Sequence, residues 1–312
     1  MSCPRHTLAR LPWLVGLVLA AFLVGERPAR ASACCGSSYG LGSRLAPAET
    51  GTVTLLLRGA APYASWSRTT EVKPSSVLTQ ELRLDVGGII RATEHLQLGA
   101  SAPLVVTRRA GPKGSSVGGG LGDATLFARY DVIPVGGQAG LPGVGLVLGA
   151  TIPSGRAGRD ATDVLGADAT GQGLWELRPG VMLERVWLNG FFAVLGASLA
   201  LRAPVTEGGQ RVVMKPRLQL VAAAGPTLAR KVSLALGVIH EQEPGPEING
   251  VVAPLSERMK TSLLAVSSVE LGPHWSLIFT AQAEPPLRAF GRNEDVGFAV
   301  AAGLRHVWLE FE

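Results

Sequence analysis

The sequence predicts an all-β fold: a closed antiparallel transmembrane β-barrel of about twelve strands, preceded by a cleaved signal peptide. Three observations carry this. From residue 51 onward, segments of about 10–14 residues alternate apolar and polar residues, the period-two pattern of a strand. The connectors between them run long, then short, then long again, the rhythm of a barrel with long outer loops and tight periplasmic turns. Charged residues make up only 17% of the chain and hydrophobic ones 46%. A soluble chain carries about 25% charged residues, so the missing charge points to an exterior facing hydrocarbon.

Residues 1–31 read as an export signal. Arg5 and Arg10 form the positive start, and residues 11–25 are apolar apart from Pro12. Ala29-Arg30-Ala31 and Ala31-Ser32-Ala33 are both small-x-small cleavage sites. A spanning helix needs roughly 20 apolar residues, and Glu26 and Arg27 end this run before that length. Removing Arg5, Arg10, Arg27, Arg30 and Glu26 from the 29 basic and 24 acidic residues leaves 25 against 23. The pI of 9.4 therefore owes much to the signal. The rest has no basic cluster interleaved with aromatics, which excludes a nucleic-acid partner.

Of three cysteines, Cys3 leaves with the signal and Cys34 and Cys35 stand side by side. Adjacent cysteines close no useful loop. Ala31-Ser32-Ala33-Cys34 lacks the leucine of a good lipobox, which weighs against lipidation. No His or further Cys lies at ligand spacing from the pair, so no metal or cofactor is expected. Residues 32–50 are small and non-periodic. They form either a periplasmic N-terminal segment or a plug, and their Gly-Ser content leans to the first. Residues 51–312 are the barrel.

The strands are expected near 51–59, 77–91, 95–107, 122–133, 143–153, 173–186, 190–203, 212–225, 231–243, 258–271, 274–285 and 294–311. In the third, Leu96, Leu98, Ala100, Ala102 and Leu104 oppose Gln97, Gly99 and Ser101. In the fourth, Ala124, Leu126, Ala128, Tyr130 and Val132 oppose Asp123, Thr125, Arg129 and Asp131, with Phe127 out of pattern. In the eleventh, Trp275, Leu277, Phe279, Ala281 and Ala283 oppose Ser276, Thr280, Gln282 and Glu284, with Ile278 out of pattern. One face meets lipid and the other a polar interior. Only a closed sheet leaves no unpaired backbone edge in a bilayer.

Connectors 60–76, 108–121, 155–172, 204–211, 244–257 and 286–293 are long and polar. Those at 92–94, 187–190, 226–230 and 272–273 are short, and 134–142 is a longer exception. Asn189-Gly190 is a strong hairpin signal. This order places both termini in the periplasm of a bacterial outer membrane. The last strand carries Val296, Phe298, Val300, Ala302 and Leu304 on one face and ends with Phe311 next to last. An aromatic end of this kind suits reading by the barrel-assembly machinery. The bilayer and lipopolysaccharide are the other expected partners.

Gly120-Leu121-Gly122-Asp123-Ala124-Thr125-Leu126-Phe127-Ala128-Arg129-Tyr130 resembles a GxGD-x-x-L-x-x-R-Y strand. Residues 145–155, ending Ile152-Pro153-Ser154-Gly155, resemble the G-x-x-L-P-T-G end that follows it, with Ile152 and Ser154 in place of Leu and Thr. Gly173-Leu174-Trp175-Glu176-Leu177 resembles the start of the next strand. Together they resemble the outer-membrane barrel transporters of the phenol-degradation meta-pathway type, which are related to hydrophobic-compound uptake barrels. The resemblance implies passive transport without catalytic residues or cofactor.

Candidate lumen-lining residues share faces strand by strand. Glu81, Arg83 and Asp85 lie on the second strand, and Asp123, Arg129 and Asp131 on the fourth. Glu176, Arg178 and Glu184 lie on the sixth, Lys215, Arg217 and Gln219 on the eighth, and Glu284 on the eleventh. They read either as a selective polar path or as paired charges that fill the barrel. Gly36-Ser37-Ser38-Tyr39-Gly40 matches a nucleophile motif but no strand precedes it. His240-Glu241 has no adjacent serine, and Asp160, Asp163 and Asp168 lack calcium-loop spacing. The expected function is passive uptake of small hydrophobic or aromatic solutes by a non-enzyme. A closed structural or adhesive barrel is the alternative, and a lipid hydrolase comes last.

Overall fold

The computed structural model describes residues 44–112, 114–137, 140–228 and 231–310. The export signal, Cys34, Cys35, residues 32–43 and Phe311 lie outside the described residues. Twelve long strands close into one antiparallel barrel. They are β1 (Glu49–Trp66), β2 (Leu78–Arg91), β3 (Leu96–Gly111), β4 (Ala124–Ile133), β5 (Gly143–Ile152) and β6 (Glu176–Val186). The second half comprises β7 (Phe191–Arg202), β8 (Arg217–Leu228), β9 (Val232–Glu243), β10 (Arg258–Glu270), β11 (Trp275–Ala283) and β12 (Asp295–Leu309). Each pairs with its chain neighbours. β1 also pairs with β12, from Glu49↔Leu309 to Ser65↔Asp295, and this seam closes the ring.

The alternation sorts the side chains. On β3, Leu98, Leu104 and Val106 are exposed outward, while Gln97, Val105 and Thr107 are buried within. On β11, Trp275 and Phe279 point out and Ser276, Ile278, Thr280 and Gln282 are buried within. Ile278, which breaks the polar pattern of its strand, is thus an apolar lumen residue. Trp275 and Trp308 flank His306, with ring centroids 4.5 and 4.9 Å away. Such aromatics belong to the interfacial girdle of a barrel. No helix among the described residues is long and apolar enough to cross a membrane.

The connectors 92–95, 187–190 and 271–274 lie at one end, with both ends of the described chain. The long ones, such as 153–175, lie at the other. At the short-turn end, Gly190 takes φ +79°, and Asn189 Oδ1 accepts the Phe191 N–H at 3.0 Å.

Three stretches differ from the sequence pattern. β1 continues past residue 59 to Trp66, crossing Pro62 at a register shift between Pro62 and Ala64. A proline lacks the ladder N–H, and such irregularities accommodate it. Residues 114–121, expected as loop for their glycines, form a strand on the upper half of β3. Connectors 203–216 and 244–257 carry a second, four-stranded sheet of Val205–Glu207, Gln210–Val213, Glu247–Ile248 and Val251–Val252. β8 starts at Arg217 because Pro216 has no N–H to give the ladder. Lys215, expected on that strand, therefore lies in the long connector, ion-paired with Glu247.

Candidate functional site

The inner face of the barrel carries two charge networks at different heights. Toward the short-turn end, Arg129 of β4 is fully enclosed. Its Nε donates to Asp131 Oδ1 at 2.7 Å and its Nη1 to Glu184 Oε1 of β6 at 2.5 Å. Gln97 of β3 donates to Asp131 Oδ2 at 2.9 Å. The chain ahead of β1 enters this network. Arg44 Nε donates to Glu184 Oε2 at 2.9 Å, and the Leu45 N–H to Gln97 Oε1 at 2.8 Å. Arg44 and Leu45 are 6% and 1% exposed, so this short stretch is packed into the mouth rather than hanging free. Arg91 fastens it further, donating to Ala46 O at 2.6 Å and Glu49 O at 2.9 Å.

Toward the long-loop end, Glu176 of β6 gathers Arg178, Arg202 at 2.9 Å and Arg217 at 3.5 Å. Arg202 also meets Glu243 at 2.7 Å, and Gln219 donates to Glu241 at 3.0 Å. Across the lumen, Arg83 pairs with Asp85 at 2.8 Å and Arg58 with Glu81 at 3.4 Å. Glu284 lies just past β11 and accepts from Ser262 and Gln282 at 3.0 Å and from the Gly297 N–H at 3.1 Å. Buried ions need partners, and here nearly every named charge has one. Between the networks lies an apolar patch of Val147, Met182 and Val194, with Val221 packed against it.

Asp123 is placed differently from its sequence expectation. The chain turns at Gly122 before β4 starts, so Asp123 serves the loop roots. It accepts the Gly155 N–H at 3.0 Å and the Gln172 N–H at 2.6 Å.

That corner marks a break in the wall. β4 pairs with β3 only from Leu96↔Tyr130 to Ser101↔Thr125. Above it, residues 114–121 take over the pairing with β3, and among the described residues no barrel strand covers their other edge. Connector 153–175 lies there instead. Thr170 Oγ1 donates to Leu121 O at 2.6 Å, and Ser116 Oγ to Asp163 Oδ1 at 2.8 Å. Gly118 permits the contact, because a Cβ there would fall 2.5 Å from the Asp168 nitrogen. The loop is internally tied. The Thr162 N–H and hydroxyl, with Arg156, hold the Asp168 carboxyl well below the usual carboxylate range. The outer rim of the break carries Leu104, Val117 and Leu121 exposed, with Arg108 beside Val117.

Among the described residues, no three His, Cys, Asp or Glu side chains group to hold a metal ion. Sequence reasoning missed Arg44, Arg91, Gln97 as a ligand, Arg202 and Glu243. The parity of their strands marks Gln97, Arg202 and Glu243 as inward. Arg44 precedes any strand and carries no periodic signal.

No family model matches the chain, and no curated protein matches it. Solved structures with this fold include the COG4313 outer membrane channel from Pseudomonas putida F1, with a TM-score of 0.69 at 14% identity, covering 88% of this chain and 100% of that one. The beta domain of the Bordetella autotransporter BrkA is similar at a TM-score of 0.52 and 15% identity, over 83% of this chain and 100% of that one. At such identities the likeness establishes the fold. The chain is a β-barrel of the outer-membrane kind.

Proposed function

We propose that this barrel lets small hydrophobic or aromatic solutes cross the outer membrane by passive diffusion, as a transporter and not an enzyme. The observation that carries this is the wall break beside residues 114–121. It has an outer rim that is apolar apart from Arg108, and a loop for a cover. Within the barrel, the patch around Val147 and Met182 offers an apolar surface between the two charge networks. A solute that prefers lipid enters from the side past the loop. The similarity to a solved outer membrane channel supports the reading. The extent of charge pairing favours the alternative, a closed structural barrel, and transport measurements separate the two.

The test locks the cover. Ser116 Oγ donates to Asp163 Oδ1 at 2.8 Å, so S116C/D163C sets two thiols facing each other across that contact, and loss of thiol labelling at 116 and 163 after oxidation shows that they have bonded. In vesicles with a lipopolysaccharide outer leaflet, the unsubstituted barrel should speed entry of radiolabelled toluene. The oxidised double variant should lose that entry and regain it on reduction. Full entry through the oxidised form rules out the lateral route. No entry through the unsubstituted barrel favours the closed barrel.

In this reading the short-turn end, with both termini, faces the periplasm. The long connectors face lipopolysaccharide, and the last strand is recognised by the barrel-assembly machinery. Epitope tags inserted within 108–121 or 155–172 should label on intact cells. Labelling only after permeabilisation would reverse the orientation.

A further inference from the structure

Among the described residues, the stretch 44–48 ahead of β1 does not fill the short-turn mouth evenly. On the side of β2, β3 and β6 it is fastened by Arg91, Gln97 and Glu184. On the side of β10 and β11 it stands off from the wall, across a cavity of about 200 Å³. Ala46 and Ala48 bound this space on one side; Ser268, Ser276 and Val307 bound it on the other. These three wall residues point inward and are buried, and the space runs from them to the turn at Gly272, Pro273 and His274, with the outward Trp275 at its edge. Its rim is braced by Glu49, whose Oε2 accepts the Ala46 N–H at 2.8 Å and Arg305 Nη2 at 2.5 Å. That brace ties the entering chain to β12 and holds it away from β10 and β11.

We propose that solute leaves the barrel through this opening, between Ala46 and Ala48 on one side and Ser268 and Ser276 on the other. The inference rests on the transport reading above and adds where the exit lies and what fits it. A cavity of about 150 Å³ holds benzene, so the opening passes a solute one ring wide. Ala46, Ala48, Ser268 and Ser276 keep its middle clear, with Glu49, Glu270 and Arg305 around them. Two serine hydroxyls offer a donor and an acceptor to any polar group the solute carries, in place of the water it loses on entry.

The test uses two kinds of variant in the full chain. Ser268→Phe and Ser276→Phe put a ring into the gap. Each should reduce toluene entry into the lipopolysaccharide vesicles about tenfold, because too little room remains for a second ring. Heat-modifiable mobility on gels should show the barrel still closed. Independently, the thiol of Ser276→Cys should react with a methanethiosulfonate sulfonate added from the short-turn side. Mass spectrometry of the peptide carrying position 276 reads this apart from the native cysteines. Unchanged toluene entry through both Phe variants, or an unreactive thiol at 276, would overturn the exit while leaving the transport reading in place. No toluene entry through the unsubstituted barrel would overturn both.

Discussion

Glu184→Ala should release the chain ahead of β1 and cost the barrel more stability than any surface ion-pair deletion. Glu184 is 1% exposed and, among the described residues, is the one carboxylate that binds both Arg44 and Arg129. Removing one member of a buried pair costs about 3–5 kcal/mol, mostly because the remaining charge is stranded. Arg129 keeps Asp131. Among the described residues Arg44 keeps only a 3.5 Å bond to the neighbouring Leu45 carbonyl, so Arg44 is the group that leaves. The matched control is Glu257→Ala. Glu257 and Arg292 form an ion pair in which both side chains are more than a third exposed, and such pairs are worth about 0–1 kcal/mol. Thermal unfolding followed by gel mobility should separate the two variants, and protease should cut near Arg44 only in Glu184→Ala. Equal unfolding temperatures would mean that water reaches the Glu184 site and screens it.

Leu126→Arg should block membrane insertion where Thr125→Arg does not. Leu126 is 47% exposed on the outer face of β4, opposite Ala100 of β3 and Ala150 of β5. An arginine on the lipid face near the midplane costs roughly 2–4 kcal/mol, falling toward zero at the interfaces. Thr125 is the next residue, and its side chain points into the barrel beside a polar interior. Folding yield in liposomes measures the difference. Equal yields would mean that this part of β4 faces no lipid.

Much of this was legible in the residues. Alternation on the third, fourth and eleventh strands gave the inward and outward faces, since successive Cβ atoms must point to opposite sides. Asn189-Gly190 marked a turn that the positive φ of Gly190 requires. The length contrast between connectors placed both ends of the described chain at one mouth. What stayed hidden depends on pairing across the lumen. Glu184 meets Arg44 140 residues away in sequence, and no local pattern announces such a partner. Residues 114–121 read as loop because glycine carries no strand signal; their pairing to β3 is a tertiary effect that overrides composition. Lys215 shares the parity of Arg217, but Pro216 between them ends the ladder. Asp123 likewise has inward parity and is claimed by two loop amides.

The β1–β12 seam makes the last strand a checkpoint. Until β12 pairs with β1, the sheet has two bare margins whose N–H and C=O groups find no partner in hydrocarbon. A chain ending at β11 is therefore not a smaller pore but an open ribbon, ready to zip onto another copy of itself. The seam also joins the most distant parts of the sequence, and pairings of that kind form slowly. During that delay both margins stay open, and completing the seam removes them together.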